Sequence, residues 1–379
     1  MPELSAIKSF IRSAAMQAAW ILGTLAILFG VAQLSERTGA AKPEGVKLRV
    51  ALFINGTLGD KSFFDSAARG LKNAKQTLPV MVKVIEGGTD PTRWEAALTD
   101  LADSGDFDLI VAGTFTMVPY IQRLAGEFPQ ARFVVFDAAV DYAACKCANV
   151  HSILFRQNEG AYLAGYLAAS LDRAGFAGLK PSSGLGVVGG MQFPVIDDFI
   201  VGFRAGALAA TPGVTVLSQY ANSFSDPAAG KEIAKAQYGR GVALIFHAAG
   251  ATGQGVNEAA LEAGRYAIAV DMDQYAMYQA TKPALASRIV TSVLKNVDVA
   301  VLRAIQQQLE GRLAFGRTES LGLAEHGVSL ARNSMVLSQA PPALLKSLDE
   351  VETAIVEKRV MVPSAFTPKA VASAARGAP

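Results

Sequence analysis

Two phenylalanines, Phe63 and Phe224, lie in polar segments that follow short apolar runs, one in each half of the chain. Both stand directly after a serine, in the sequences Ser-Phe-Phe and Ser-Phe-Ser-Asp. A phenylalanine ring has a flat apolar face, so two rings on opposite sides of a cleft would hold a planar aromatic ligand. The sequence therefore predicts a binding site for such a ligand, with a ring on either side.

Amide and carboxylate side chains also follow short apolar runs, as the two phenylalanines do. Asn55 and Asp60 follow the first apolar run, Asp137 follows the fourth, and Asp271 follows the ninth. A heterocyclic ligand needs acceptors for its N–H groups and donors for its ring nitrogens, and we expect Asn55 and Asp137 to supply them. A carboxylate accepts two sugar hydroxyls, which suits Asp271. Asp60 belongs to the same cluster as Asn55 and is kept as a binding candidate.

These residues require a scaffold that places strand ends together. Short apolar runs alternate with longer amphipathic ones, which predicts an α/β fold with parallel sheets covered by helices on both faces. The predicted strands are 48–54, 80–85, 109–112, 133–136, 152–155, 185–188, 214–219, 243–246 and 266–270. The predicted helices are 62–78, 91–103, 117–127, 159–173, 196–209, 228–238 and 256–263, with a further long helix within 283–310 and one over 344–358.

The alternation begins a second time after residue 155, so we expect two doubly wound lobes in series. Ligands of open parallel sheets bind beyond the carboxyl ends of the strands. The polar and glycine clusters of this chain stand at those ends. A cleft between the two lobes is therefore the expected place of the site.

Composition narrows the function class. The chain has 379 residues, 35 Lys and Arg against 33 Asp and Glu, and a formal net charge of +2. This balance argues against a nucleic-acid partner. With 2 cysteines and 3 histidines there is little material for a metal site or a histidine-dependent triad. We therefore expect no catalytic residues, no metal and no cofactor.

Other chemical signals are weak. The glycine-rich segment 250–255 lacks the Lys-Ser/Thr ending of a phosphate-binding loop, and no Gly-x-Ser-x-Gly sequence occurs. Cys145 and Cys147 lie two apart without a flanking histidine pair, which indicates a structural or incidental surface pair that could oxidise outside the cytoplasm. His151 and His247 are interpreted as structural or cleft-lining residues.

The N-terminal region is unusually apolar. Residues 14–34 carry no charge and follow Lys8 and Arg12, which is the pattern of an export signal. The run is also long enough to span a bilayer, so a cleaved signal and a retained anchor both remain open. We expect the remainder to lie in the periplasm, either free or anchored. The tail 363–379 is rich in Ala, Pro and Ser and is expected to be disordered.

A set of motifs, in order along the chain, resembles one family. The motifs are GDKSFFDSAARGL at 59–71, FVVFDAA at 133–139, FRQNEGAYLAGYLAA at 155–169, GVVGGMQFPVIDDFIVGFRAG at 186–206, YANSFSDPAAGKEIA at 220–234, IFHAAGATGQGV at 245–256, AVDMDQ at 269–274 and SVLKNVDVAV at 292–301. Together they resemble the basic membrane protein family of ABC-transporter substrate-binding proteins, typified by purine nucleoside receptors. The resemblance covers about residues 46 to 362.

The resemblance implies a type I periplasmic-binding-protein fold in which the chain crosses between the lobes about three times. We expect 1–45 to be the signal or anchor with a linker. The expected first lobe is 46–155 with 276–310, and the expected second lobe is 156–275 with 311–362. The resemblance also implies capture of a solute without chemistry, and a membrane permease as the partner of a monomeric protein.

By motif, the resemblance places a purine nucleoside between Phe63 and Phe224. It assigns Asp137 to the edge of the base and Asp271 to the ribose. Gly250 and Lys295 are their implied neighbours.

Three features depart from the family. Asn55 stands where an acidic residue is usual, which could alter base preference, and Phe64 replaces the usual Asn after Ser-Phe. No cysteine precedes Cys145, so the lipid anchor common in the family is not expected. A membrane-tethered sensor with the same binding fold is the alternative function, and a nucleoside-cleaving enzyme is the least supported.

Overall fold

The computed structural model describes residues 42–179 and 184–366 of the chain. The predicted export segment and residues 367–379 of the predicted tail lie outside the described residues. Within the described ranges, no helix combines the length and apolar character needed to cross a membrane.

The described chain alternates strands and helices. The strands are β1 (Leu48–Ile54), β2 (Val80–Glu86), β3 (Leu109–Gly113), β4 (Phe133–Phe136), β5 (Val150–Phe155), β6 (Leu185–Gly189), β7 (Val216–Tyr220), β8 (Leu244–Ala248), β9 (Tyr266–Asp271), β10 (Ile289–Lys295), β11 (Arg317–Leu321) and β12 (Val328–Leu330). The α-helices are α1 (Phe63–Thr77), α2 (Trp94–Asp103), α3 (Val118–Glu127), α4 (Gln157–Arg173), α5 (Pro194–Ala210), α6 (Pro227–Gly239), α7 (Thr252–Glu262), α8 (Gln274–Tyr278), α9 (Pro283–Ala286), α10 (Val297–Leu309), α11 (Met335–Ser338) and α12 (Pro342–Val356).

The strands form two six-stranded sheets, one in each lobe. The first has the order β11-β5-β4-β3-β1-β2 and is parallel throughout. The second has the order β12-β10-β9-β8-β6-β7, with only β12 antiparallel to its neighbour. All seven residues of β1 are buried, as expected for a central parallel strand covered on both faces. The predicted α/β class with two parallel-sheet lobes is confirmed.

The sequence pattern missed three strands. The stretch 283–310 does contain a long helix, α10, but it also contains β10, which pairs in parallel with β9. The residues of β10 read IVTSVLK, and β-branched side chains of this kind favour a strand over a helix. Strands β11 and β12 were not predicted either.

These strands correct the expected lobe boundaries. Residues 289–295 were assigned to the first lobe, but β10 lies in the second sheet because it extends the ladder beyond β9. Residues 317–321 were assigned to the second lobe, but β11 pairs with β5 in the first sheet. The chain crosses between the lobes after β5, after β10 and between β11 and β12, which makes three crossings.

Helices α4 and α5 pack backbone against backbone in the second lobe. A Cβ atom at Gly165 would lie 1.9 Å from the carbonyl oxygen of Phe203, and one at Gly206 would lie 1.9 Å from that of Tyr162. Real atoms do not approach so closely, so both positions require glycine. This helix pair forms the rigid support for the second lobe's side of the cleft.

Residues 361–366, the C-terminal strap, lie across the first turns of α4 and α5. The expected disorder of the tail is therefore wrong for residues 363–366, whose polar groups are bound to these helices. Asp198 of α5 accepts hydrogen bonds from the Ser364 hydroxyl at 2.7 Å and the Ala365 N–H at 2.8 Å. Its other carboxylate oxygen accepts from Gln157 Nε2 at 2.8 Å. Burial raises the pKa of Asp198, and the hydrogen bonds oppose the rise. The strap therefore satisfies a carboxylate that is 1% exposed.

Candidate functional site

A cavity of about 560 Å³ lies between the lobes at the carboxyl ends of the strands. All eight residues predicted from the sequence line it, four from the first lobe and four from the second: Asn55, Asp60, Phe63, Asp137, Phe224, Gly250, Asp271 and Lys295. The volume falls in the usual range for small-molecule sites. The two sheets therefore bring the strand-end residues into one chamber.

The backbone turns sharply where several of these residues enter the cavity. Thr114, Asp137, Asn222 and Asp271 follow or end strands and have positive φ angles of 75°, 61°, 56° and 65°. L-residues rarely adopt such angles, and residues held in them concentrate at functional sites. All four line the cavity.

Lys295 ends β10 and forms an ion pair with Asp137 of the opposite lobe. The lysine is 2% exposed, and its ammonium nitrogen lies 5.3–5.6 Å from the ring centroids of Phe63, Phe155 and Phe199. These distances allow cation–π attraction. Burial raises the pKa of Asp137, and the ammonium group opposes the rise.

Asp271 ends β9 and accepts a hydrogen bond from the Ser62 hydroxyl of the first lobe. Burial raises the pKa of Asp271 to about 6, although Lys295 and the Ser62 hydrogen bond oppose the rise. The negative charges of the nearby carboxylates Asp60 and Asp137 also raise the pKa of Asp271. Asp271 therefore gains or loses its proton near pH 6, above the usual range of an aspartate.

Asp60 lines the cavity and also stabilises the start of helix α1. Its carboxylate accepts backbone hydrogen bonds from Ser62 at 3.0 Å, Phe64 at 2.8 Å and Asp65 at 3.1 Å. Free N–H groups at a helix start need such acceptors, so Asp60 caps α1. Burial raises the pKa of Asp60 against these hydrogen bonds. The cap fixes the first turn of α1, which carries Phe63.

The two aromatic candidates come from opposite lobes. Phe63 packs edge-on against Phe64, with ring centroids 5.5 Å apart, and lies 5.4 Å from Phe136. The Phe224 ring lies over Gly190, where an added Cβ would be 2.3 Å from the ring. Gly190 therefore leaves room for the ring of Phe224 at the cavity wall.

Several cavity residues were not predicted from the sequence, among them Thr114 and Thr116. Both contact the predicted residue Asn55: its Nδ2 donates to Thr116 Oγ1 at 2.7 Å and to Thr114 Oγ1 at 3.2 Å, and the two hydroxyl oxygens lie 2.7 Å apart. Thr114 belongs to a strand-end cluster visible in the sequence, but nothing in its residue type indicates these bonds. Other cavity residues not predicted are Trp94, Phe115, Phe193 and Phe199.

The lobes touch each other across the cavity. Besides the Asp137–Lys295 and Ser62–Asp271 contacts, Gln254 Nε2 donates to the Asp60 carbonyl at 3.3 Å. The rings of Phe115 and Phe193, one from each lobe, have centroids 4.0 Å apart. The described conformation is therefore one in which the lobes meet.

The remaining chemical candidates lie outside the cavity lining. His247 is fully buried, and its Nε2 lies 3.2 Å from Asn257 Oδ1. Burial lowers the pKa of His247 to about 4. His151 Nδ1 lies 2.7 Å from the Ala314 carbonyl oxygen, and His151 Nε2 lies 3.2 Å from Glu319 Oε1. Cys145 and Cys147 form a disulfide. These contacts agree with the structural interpretation of the histidines and cysteines.

Two lobes joined by three crossings, with a cavity at their strand ends, define a type I periplasmic-binding-protein fold. Residues 47–365 match the family model Bmp, described as ABC transporter substrate-binding protein PnrA-like. The chain belongs to this family, and the resemblance seen in its motifs is confirmed.

Individual relatives agree with the family match. The chain is 30% identical over 318 residues to basic membrane protein A of Borreliella afzelii, covering 83% of this chain and 91% of that protein. It is 31% identical over 342 residues to basic membrane protein D of Borreliella burgdorferi strain JD1, covering 89% and 93%.

Solved structures show the same fold. A solute-binding protein of an ABC transporter system from Aeropyrum pernix K1 matches with a TM-score of 0.74 and 27% identity, covering 83% of this chain and 94% of that one. One from Conexibacter woesei matches with a TM-score of 0.67 and 24% identity, covering 84% of this chain and 100% of that one. Members of the family are solute-binding components of ABC transporters, which act outside the cytoplasm with a membrane permease.

Proposed function

We propose that this protein captures a purine nucleoside, or a related heteroaromatic solute, and delivers it to an ABC permease. The observation that carries the proposal is the joint presence of Phe63 and Phe224, from opposite lobes, on one cavity. Phenylalanine faces suit a planar base. Asp271 and Asn55 add polar groups that suit a ribose and a base edge.

Binding would operate by closure of the lobes. Ser62, Asp271, Asp137 and Lys295 already form contacts across the cleft. A ligand that touches both lobes favours the closed state by its differential affinity for that state. The closed surface would then be recognised by the permease. The protein acts as a monomer, and its carboxylates serve binding and lobe contact instead of catalysis.

Isothermal titration calorimetry with inosine, guanosine, adenosine, uridine and riboflavin tests the proposal. Micromolar or tighter binding of a nucleoside is expected, and the nucleoside should be recovered without release of free base. Phe63→Ala should weaken binding by about 1 kcal/mol or more. Phe366→Ala is the matched control, because Phe366 is exposed and outside the cavity lining. If no member of the panel binds, the proposed function is wrong.

A further inference from the structure

Lys61, which follows the cavity residue Asp60, is fixed in a backbone conformation that is unusual for a lysine. Its φ is 53°, in the left-handed region that L-residues seldom adopt. Asp65 of α1 stabilises this conformation, because its two carboxylate oxygens accept the N–H groups of Gly59 at 2.8 Å and Lys61 at 2.9 Å. The backbone bonds of the loop therefore fix the position from which the Lys61 side chain extends.

The Lys61 side chain contacts the second lobe. Its ammonium nitrogen lies 5.3 Å from the centroid of the Tyr278 ring, a distance that allows cation–π attraction. Tyr278 belongs to α8 and is 4% exposed, so the packing of its own lobe holds the ring in place. A second contact involves the residue before Lys61, because Gln254 of α7 donates to the Asp60 carbonyl oxygen at 3.3 Å.

These two contacts join the lobes without lining the cavity. Lys61, Tyr278 and Gln254 are all absent from the cavity wall. None of the three lies in a segment that crosses between the lobes. Rotation of the lobes about the crossings therefore separates these contacts, and closure forms them again. A contact made only in the closed state raises ligand affinity, because it favours that state over the open one.

We propose that Lys61, Tyr278 and Gln254 form a closure latch, which retains the captured solute without touching it. The proposal rests on the proposed function, because it assumes a solute that is bound by closure of the lobes. Lys61 and Gln254 are positioning residues, since they act on the lobes and not on the ligand. Loss of a latch contact favours opening, so its main effect should be faster release of the ligand.

Lys61→Met tests the latch directly, because methionine keeps a long unbranched side chain and removes the charge. The probe is inosine or guanosine, whichever wild-type protein binds more tightly. Stopped-flow fluorescence of Trp94, which lines the cavity, measures its release. The dissociation rate constant should rise about two- to fivefold, as expected for loss of one partly exposed cation–π contact. Gln254→Ala should also speed release, whereas Lys61→Arg keeps the cation and should behave as wild type does.

Lys282→Met is the matched control. The Lys282 ammonium nitrogen lies 6.0 Å from the centroid of the same Tyr278 ring, but both residues belong to the second lobe. Opening leaves that contact intact, so Lys282→Met should leave the release rate unchanged. A double-variant comparison then separates the latch from a local structural role. In a Tyr278→Leu background the partner of Lys61 is absent, so Lys61→Met should no longer change the release rate.

The possible outcomes distinguish the latch from the proposed function. If Lys61→Met and Gln254→Ala release the nucleoside at the wild-type rate, the latch is overturned while the nucleoside function stands. Equal effects of Lys61→Met and Lys282→Met would also overturn it, because only one of these contacts joins the lobes.

If no nucleoside binds to wild-type protein, the proposed function fails and X-ray scattering of the ligand-free protein decides on the latch. The double variant Lys61→Met, Gln254→Ala should then have a larger radius of gyration than wild type, because the open state gains population. An unchanged radius would reject the latch.

Discussion

Asp137 of the first lobe and Lys295 of the second form a buried ion pair at the base of the cleft. The pair joins the end of β4 to the end of β10, so it links two sheets that share no strand. Both partners line the cavity. The same contact therefore serves lobe association and the charge balance of the site.

Breaking this ion pair should strongly destabilise the protein. Lys295→Met leaves the Asp137 carboxylate buried without its partner, which typically costs about 3–5 kcal/mol in the free energy of unfolding. The double variant Lys295→Met, Asp137→Asn removes the uncompensated charge and should recover part of that loss. Equilibrium unfolding in urea measures both. A single variant as stable as wild type would show that the pair has no energetic role.

Stability should depend on pH through Asp271. Its pKa is raised to about 6 from 3.8, so the folded protein holds this proton more tightly than the unfolded chain does. The resulting stabilisation is fully present below about pH 4 and is lost as pH rises through 6. From the size of the shift, it amounts to about 3 kcal/mol.

The measurement for Asp271 is urea unfolding at pH values from 4 to 7, with Asp271→Asn as the comparison. The asparagine cannot ionise, so between pH 4 and 7 wild type should lose more stability than the variant does. Parallel curves for the two proteins would exclude Asp271 as a titrating group in this range.

A methyl group at Gly190 should damage the site without unfolding the lobe. The added Cβ would lie 2.3 Å from the Phe224 ring, so the ring must move out of its position at the cavity wall. Gly190→Ala should therefore weaken nucleoside binding about tenfold in calorimetry, a loss similar to that of one aromatic contact. Gly239→Ala is the control, because a Cβ there meets nothing within 4 Å. Equal affinity in both variants would remove Phe224 from the site.

Removal of the C-terminal strap should lower stability. A chain ending at Val362 loses the Ser364 and Ala365 donors to Asp198, and the buried carboxylate keeps Gln157 as a partner. Loss of hydrogen bonds to a buried acceptor costs about 1–3 kcal/mol in the free energy of unfolding. A chain ending at Phe366 keeps these donors and controls for shortening. If both truncations unfold at the same urea concentration, the strap makes no net contribution.

Much of the fold could be predicted because most strands are visible in the sequence as short apolar runs. Runs such as β1 are apolar at every position but one, Arg49, and the helices between them are amphipathic, so alternation alone indicates parallel sheets. β10 escaped prediction because it lies between the short helix α9 and the long helix α10, with no turn-rich boundary. Its membership of the second sheet depends on pairing with β9, a contact that spacing along the chain does not reveal.

The site was predictable to the extent that strand ends place residues together. Asp137 was found because it directly follows a buried strand, and Asp271 because it follows the apolar run 266–270 and closes β9. The contacts of Thr114 were not predicted, because they depend on a strained backbone angle and on the placement of its hydroxyl beside Asn55 and Thr116. The capping of α1 by Asp60 likewise depends on local backbone geometry.

The backbone contact between α4 and α5 separates what the fold requires of the sequence from what the ligand requires. Gly165 and Gly206 lie within the motifs GAYLAGYL and GFRAG, and each is fixed by the carbonyl oxygen it meets. Neither glycine lines the cavity. These two glycines therefore serve the fit of one helix against the other, and the choice of ligand is left to residues that lie elsewhere.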